Sequence, residues 1–161
     1  MKNKKIWILV GILLLVALAA ALFFMQKRTG PVTNFTPEFE AEQQQDPEEA
    51  QINEPQVGRG IRIPGYSEIH VAANATEVSV DLYNPEENQV YFQIAFVLTD
   101  TEEKIYESKL VEPGQHLYKI QLLRTLAPGE YPLTIQYSTF STDGSFTPKN
   151  GATLNCVLVA E

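Results

Sequence analysis

Few side chains in this chain of 161 residues are suited to act as a base, a nucleophile or a soft metal ligand. It contains two histidines, His70 and His116, and a single cysteine, Cys156. Nucleophilic catalysis needs a serine, threonine or cysteine beside an oriented base, and a transition-metal site needs three or four converging ligands. Two distant histidines and a cysteine on the expected inward face of a late strand meet neither requirement. The sequence therefore predicts a non-enzymatic protein with no cofactor and no such metal.

Acidic side chains are the remaining candidates for chemistry. Glu86 and Glu87 precede residues 90–99, and the acidic residues 100–103 follow them. At the rise of a β-strand the two groups would lie about 30 Å apart, too far for the paired carboxylates of a glycosidase. Residues 100–103 alone offer the oxygen ligands that Ca²⁺ prefers. A solvated acidic turn is the alternative, and the sequence leaves both interpretations open.

Alternating apolar residues predict that residues 58–161 form an all-β domain. Short runs of period two are separated by Pro, Gly, Asn and Asp at spacings of about eight to twelve residues. Residues 90–99 are apolar on both faces, which predicts a strand in the middle of its sheet. With seven or eight strands, the pattern favours two antiparallel sheets packed face to face. The break at Pro64-Gly65 would let the first strand pass from one sheet to the other.

The segment from Leu126 to Tyr131 resembles the tyrosine corner of immunoglobulin-like and fibronectin type III domains. In that corner a Pro-Gly turn precedes a tyrosine whose hydroxyl bonds back to the backbone. The resemblance implies an immunoglobulin-like antiparallel sandwich. The family's disulfide and core tryptophan are missing, since Cys156 is the only cysteine and Trp7 the only tryptophan. Such a resemblance speaks for a fold and not for a function.

Turn and corner elements also resemble those of small single-pass surface proteins of Gram-positive bacteria. The resemblance implies an exported domain on a membrane anchor. The residues that carry it are Tyr83-Asn84-Pro85-Glu86-Glu87-Asn88, Leu110-Val111-Glu112-Pro113-Gly114, Leu126 to Pro132 and Asn150-Gly151-Ala152.

Residues 6–25 form an uncharged apolar run that predicts a transmembrane helix. Twenty helical residues extend about 30 Å, the thickness of the hydrocarbon core of a bilayer. Residues 1–5 carry three lysines and two basic residues follow the run, which places the N-terminus in the cytoplasm and residues 29–161 outside. A cleaved signal peptide is the alternative, because Ala17-Leu18-Ala19 and Ala19-Ala20-Ala21 have the small residues that a signal peptidase needs.

Residues 26–57 read as an acidic tether between the helix and the domain. Four prolines, a glutamine triplet and seven acidic residues leave little apolar surface to bury, which predicts disorder. Phe35 and Phe39, its only aromatic residues, are either a short docking motif or incidental. The domain at 58–161 has seven basic and thirteen acidic residues, so it would repel phosphate backbones, and a nucleic-acid partner is not expected.

One face of the predicted sandwich carries no charge. If residues 90–99, 131–140 and 153–159 form neighbouring strands, their outward residues are uncharged, as in the centre of a protein contact. The alternative is a face covered by the tether or by the loop at 141–150. The other sheet, with Asp81, Lys119 and Gln121 directed outward, reads as an ordinary solvated face. The predicted partner-binding face consists of Tyr91, Gln93, Val97, Thr134, Gln136, Asn155 and Val157.

Together these features predict a membrane-anchored, extracytoplasmic binding or assembly module of the cell envelope that acts through protein–protein contact. The alternative is a carbohydrate-binding surface module in which a glycan stacks on tyrosine rings. An enzyme acting on envelope polymers is a third hypothesis, for which no base, nucleophile or metal set converges. The candidate stacking platforms are Tyr66, Tyr83, Tyr91 and Tyr106.

Overall fold

The computed structural model describes residues 36–44, 55–56 and 60–161. The predicted basic N-terminus, the predicted helix at 6–25 and most of the tether lie outside these residues. The chain divides into two units, Met1–Thr36 and Pro37–Glu161, and all the strands given below lie in the second. Within the described residues, no helix has the length and apolar character needed to cross a membrane.

The described part of the chain is all-β, as predicted, and contains nine strands and no helix. Two of the strands contain only two residues each, and the last two strands are the longest. In chain order they are β1 (Pro55–Gln56), β2 (Ile63–Pro64), β3 (Glu68–Val71), β4 (Glu77–Tyr83), β5 (Val90–Leu98), β6 (Glu103–Glu107), β7 (His116–Gln121), β8 (Gly129–Ser141) and β9 (Pro148–Ala160).

The strands form a five-stranded sheet in the order β3-β9-β8-β5-β6, a two-stranded sheet β4-β7 and the short pair β1-β2. The predicted adjacency of β5, β8 and β9 is confirmed, and β5 lies inside its sheet between β8 and β6. Wholly antiparallel sheets were expected, but β3 runs parallel to β9, with Ile69 opposite Leu158. Alternation of apolar residues assigns faces and carries no information on strand direction, so the sequence could not predict this pair.

The five-stranded sheet and the β4-β7 sheet share one hydrophobic core and so form a β-sandwich. From β4 and β7 it receives Val80, Leu82 and Leu117, all nearly inaccessible to solvent. The facing sheet contributes Phe92 and Tyr137, whose ring centroids lie 5.3 Å apart edge to face. Each large apolar side chain buried in this way contributes about 1.5–3 kcal/mol, so this layer holds the outward faces in place.

The corner before β8 has the hydrogen bond that its resemblance to a tyrosine corner implies. The Tyr131 hydroxyl donates to the carbonyl of Ala127 at 2.9 Å. This bond ties the start of β8 to the turn that precedes it and fixes the position of one end of the five-stranded sheet.

The loop between β4 and β5 is held by two buried asparagines. Nδ2 of Asn84 donates to the carbonyls of Val90 at 2.8 Å and Val111 at 3.1 Å. Nδ2 of Asn88 donates to Oδ1 of Asn84 at 2.8 Å, and Oδ1 of Asn88 accepts from the amide of Arg62 at 2.9 Å. These amide side chains add hydrogen bonds to backbone groups of three separate segments, so the loop is fixed from within.

Candidate functional site

All seven residues of the predicted partner-binding face lie on the outward side of the five-stranded sheet. Residues directly opposite each other in neighbouring strands share a face. In the β5-β8-β9 register, Gln93 lies opposite Ser138, Val97 opposite Thr134, and Thr134 opposite Asn155. The remaining members follow by the same alternation: Tyr91 is opposite Phe140, Gln136 opposite Thr153, and Val157 opposite Pro132. We call this surface the outward face.

The centre of the outward face is polar or apolar but uncharged. Oγ1 of Thr134 donates to Oδ1 of Asn155 at 3.0 Å and shares a second hydrogen bond of 3.0 Å with Thr99. These bonds satisfy the central hydroxyl within the protein and lower the cost of covering it with a partner.

Charged residues border this centre on both sides. On the β6 side, Lys104 lies opposite Val97, and Lys104 forms an ion pair with Glu107. On the β3 side, Glu68 lies opposite Val157, and its neighbour His70 contacts the carboxylate of Glu161 at 3.0 Å. A centre depleted of charge within a polar, solvent-accessible rim is the usual anatomy of a protein–protein contact.

One end of the outward face carries an aromatic cluster of Tyr91, Phe39 and Phe146. The Tyr91 ring stacks on Phe146 with centroids 5.8 Å apart and an interplanar angle of 21°. The Phe39 ring meets Tyr91 edge-on at 5.1 Å and Phe146 at 6.1 Å. Residues from the tether and from the loop between β8 and β9 therefore both reach this end, where Tyr91 had been predicted to face a partner.

The β8–β9 loop is shaped to place Phe146 on Tyr91. Phe146 has a φ of 50°, a left-handed conformation that costs a bulky residue about 1–2 kcal/mol. Oδ1 of Asp143 accepts hydrogen bonds from the Ser145 amide at 2.9 Å and the Ser141 hydroxyl at 2.8 Å. The hydrogen bonds from Ser145 and Ser141 lower the pKa of Asp143 to about 2. Sequence alternation missed Phe146, and its only signal was a lone aromatic residue in a polar loop.

Residues 37–44 of the tether lie along the edge of the sandwich, and we call them the docked segment. The Glu40 amide donates to the Leu110 carbonyl at 2.9 Å, and the Leu110 amide donates to the Glu38 carbonyl at 2.8 Å. Phe39 thus pairs in parallel with Leu110, beside the chain that continues from β6. The sequence predicted disorder throughout residues 26–57, whereas within the docked segment Glu38, Phe39, Glu40 and Gln43 have defined partners in the domain.

Side chains add to this backbone pairing. Oε1 of Gln43 accepts from the amides of Tyr118 and Lys119, each at 2.9 Å, and its Nε2 donates to the Lys119 carbonyl at 3.1 Å. Nζ of Lys109 lies 3.2 Å from the Glu38 carboxylate. The docked segment therefore contacts both the edge of the five-stranded sheet and strand β7. Sequence reasoning singled out Phe39 but had no signal for Gln43.

A second cluster surrounds His116 at the start of β7. Its Nδ1 lies 2.7 Å from Oδ1 of Asp81, and its ring is stacked between Tyr83, with centroids 4.8 Å apart, and Tyr118, at 5.4 Å. Asp81 was expected on a solvated face but is buried, because the β4–β7 register shifts between Ser79 and Leu82. Burial, with the nearby Asp81 carboxylate as a second cause, raises the pKa of Tyr83.

The His116 cluster opens into an acidic groove beside the docked segment. The groove has a volume of about 670 Å³ and is lined by Tyr118, His116 and several carboxylates, among them Glu42, Glu86 and Glu112. Asp81 orients the imidazole and the two tyrosine rings confine it. This arrangement makes His116 a satisfied residue at the edge of the core.

The tyrosines proposed as sugar platforms are largely covered. Tyr66 and Tyr106 are only 5% and 7% exposed, and the Tyr66 hydroxyl donates to the Asp81 carbonyl. Tyr83 stacks on His116, and Tyr91 is covered by aromatic rings from the same chain. A sugar needs an exposed ring face, so Tyr66 and Tyr106 do not provide platforms.

The acidic turn at residues 100–103 is partly neutralised by an arginine. Nε and Nη2 of Arg124 donate to the two carboxylate oxygens of Glu103 at 2.7 Å and 2.6 Å. This hydrogen-bonded pairing lowers the pKa of Glu103. Across the residues that the structure describes, no group of three or more His, Cys, Asp or Glu side chains is placed to hold a metal ion.

No protein-family model, curated protein or solved structure matches this chain.

Proposed function

We propose that this protein is a non-enzymatic binding and assembly module of the cell envelope, acting through protein–protein contact. In this proposal residues 6–25 anchor it as a single transmembrane helix, with the N-terminus in the cytoplasm and the sandwich outside. The outward face of the five-stranded sheet contacts another envelope protein.

The observation that carries the proposal is the distribution of charge on the outward face. Gln93, Gln136 and Asn155 lie at an uncharged centre, in a chain with a formal net charge of −8. An ordinary solvated sheet face intersperses charges, whereas the centre of a protein contact is depleted of them. The neighbouring aromatic cluster adds one tyrosine and two phenylalanines, residue types that are enriched in such contacts.

We also propose that the sandwich is immunoglobulin-like. Support comes from the hydrogen bond of Tyr131 to the corner backbone and from the order of the five-stranded sheet, in which the strand after the Pro64-Gly65 break joins the last strand. Domains of this kind commonly serve as cell-surface binding modules, although the fold alone specifies no partner.

Capture of a partner from intact membranes by the full-length chain tests the proposal. The double variant Gln93→Lys, Gln136→Lys places two charges at the centre of the face. Burying an unpaired charge costs several kcal/mol, so captured partner should fall at least about tenfold. The matched control Gln121→Lys makes the same change on the exposed side of β7 and should leave capture unchanged. Equal recovery of the partner with the double variant and the parent would show that the outward face does not bind it.

A further inference from the structure

The docked segment fills the free edge of the five-stranded sheet in the manner of an added strand. Its two backbone hydrogen bonds to Leu110 continue the sheet by one position. Strand addition of this kind recognises a peptide through backbone bonds, while side-chain pockets determine which sequence fits.

The side chains that fit this sheet edge are specific to the docked segment. Phe39 lies against Tyr91 and Phe146. Oε1 of Glu40 accepts from the Lys109 amide at 2.8 Å, and the Glu40 carbonyl accepts from Nε2 of Gln115 at 3.0 Å. The edge is thus built for an extended acidic peptide with a phenylalanine, and the chain itself supplies one.

The contacts that hold the docked segment lie at the periphery of the sandwich, and several of them are exposed to solvent. The Glu38–Lys109 pair is exposed on both sides, and such pairs contribute about 0–1 kcal/mol. Phe39 itself remains 37% exposed. The docked segment can therefore leave the sheet edge without unfolding the sandwich, as is general for weakly packed peripheral elements.

The connection to the rest of the domain permits the same contacts between two copies. Ten residues, 45–54, separate the docked segment from β1, and ten residues span at most about 33–36 Å when extended. The contacts made in cis and in trans are identical, so the balance depends on the local concentration of neighbours. Exchange of an identical element is a low-cost route to association.

We propose that residues 37–44 of one copy occupy the sheet edge beside Leu110 of a neighbouring copy, so that the domains are joined by strand exchange. This proposal deepens the proposed assembly role and rests on it, because a shared membrane brings the copies together. The partner at this edge is a second copy of the chain, while the outward face remains for a different protein.

Disulfide trapping between two full-length variants tests the exchange. All chains carry Cys156→Ser, one copy carries Glu38→Cys and the other Lys109→Cys, with tags of different size. Both positions precede the paired residues Phe39 and Leu110, and neighbouring strands lie about 4.8 Å apart, which suits a disulfide. A mixed disulfide dimer at least about fivefold above that of a Glu38→Cys and Leu123→Cys pair is the expected result. Leu123 is 71% exposed and serves as the collision control.

The doubly substituted chain Glu38→Cys, Lys109→Cys shows whether the pair can form at all. If it closes within one chain while the mixed pair gives no dimer above the collision control, exchange does not occur and the proposal is overturned.

A second measurement uses no new cysteine: copies with two different tags should copurify several times more than copies that both carry Phe39→Ala. Equal copurification would also overturn the proposal. Neither result bears on the Gln93→Lys, Gln136→Lys capture, so failure here is distinguishable from failure of the proposed function.

Discussion

At the scale of single residues, a few polar side chains decide where aromatic rings lie. Asn84 and Asn88 fix the loop before β5 by donating to backbone carbonyls, and Asp143 closes the loop that carries Phe146. Removing the side chain of buried Asn84 or Asn88 leaves buried polar groups without a hydrogen bond, at a cost of about 1–3 kcal/mol. The sequence marks such residues only as turn formers, because burial and hydrogen-bond partners are set by the whole fold.

The Asp143 loop should respond to acid in a defined pH range. Hydrogen bonds to the carboxylate lower its pKa from 3.8 to about 2. Their stabilising contribution is therefore complete above the unfolded pKa and is lost as the pH falls through about 2. The Ser145 amide proton, which donates to Asp143, should shift in an NMR titration with a midpoint near that value. In Asp143→Ala this titration should disappear. A midpoint at 3.8 or higher in the parent chain would contradict the account.

At the scale of elements, apolar alternation predicted the strands and the outward face because side chains of period two assign the two faces of a sheet. It could not predict three features. The parallel pairing of β3 with β9 depends on strand direction. The burial of Asp81 depends on a register shift between β4 and β7. The position of the docked segment depends on a sheet edge built by residues distant in the sequence. Composition alone made residues 26–57 look uniform.

Phe39 should anchor the docked segment. Edge-to-face aromatic pairs contribute about 0.5–1.5 kcal/mol each, and Phe39 makes one with Tyr91 and one with Phe146. In Phe39→Ala, hydrogen exchange at the Leu110 amide, which donates to the docked segment, should therefore accelerate by roughly tenfold or more. Phe39→Tyr keeps a ring and should exchange nearly as the parent does. Unchanged exchange in Phe39→Ala would show that backbone pairing alone holds the segment.

At the scale of the whole molecule, the described domain presents two adjoining surfaces on one sandwich, which meet where Phe39 packs on Tyr91. The outward face is uncharged at its centre and bordered by charges, and the edge beside it already holds a peptide from the same chain. The proposed roles divide accordingly, with a different protein on the face and a second copy at the edge. The core beneath both surfaces is continuous, so substitutions on either surface should leave the sandwich folded.

Site-specific photo-crosslinking in intact membranes tests the central claim most directly. A photoreactive residue at position 136 lies on the outward face, and one at position 121 lies on the exposed side of the opposite sheet. The account predicts a discrete adduct of higher mass from position 136 that is absent from position 121, since a protein contact on the face brings a partner within reach of only the first. No adduct from position 136, or the same adduct from both positions, would contradict a protein-binding role for this face.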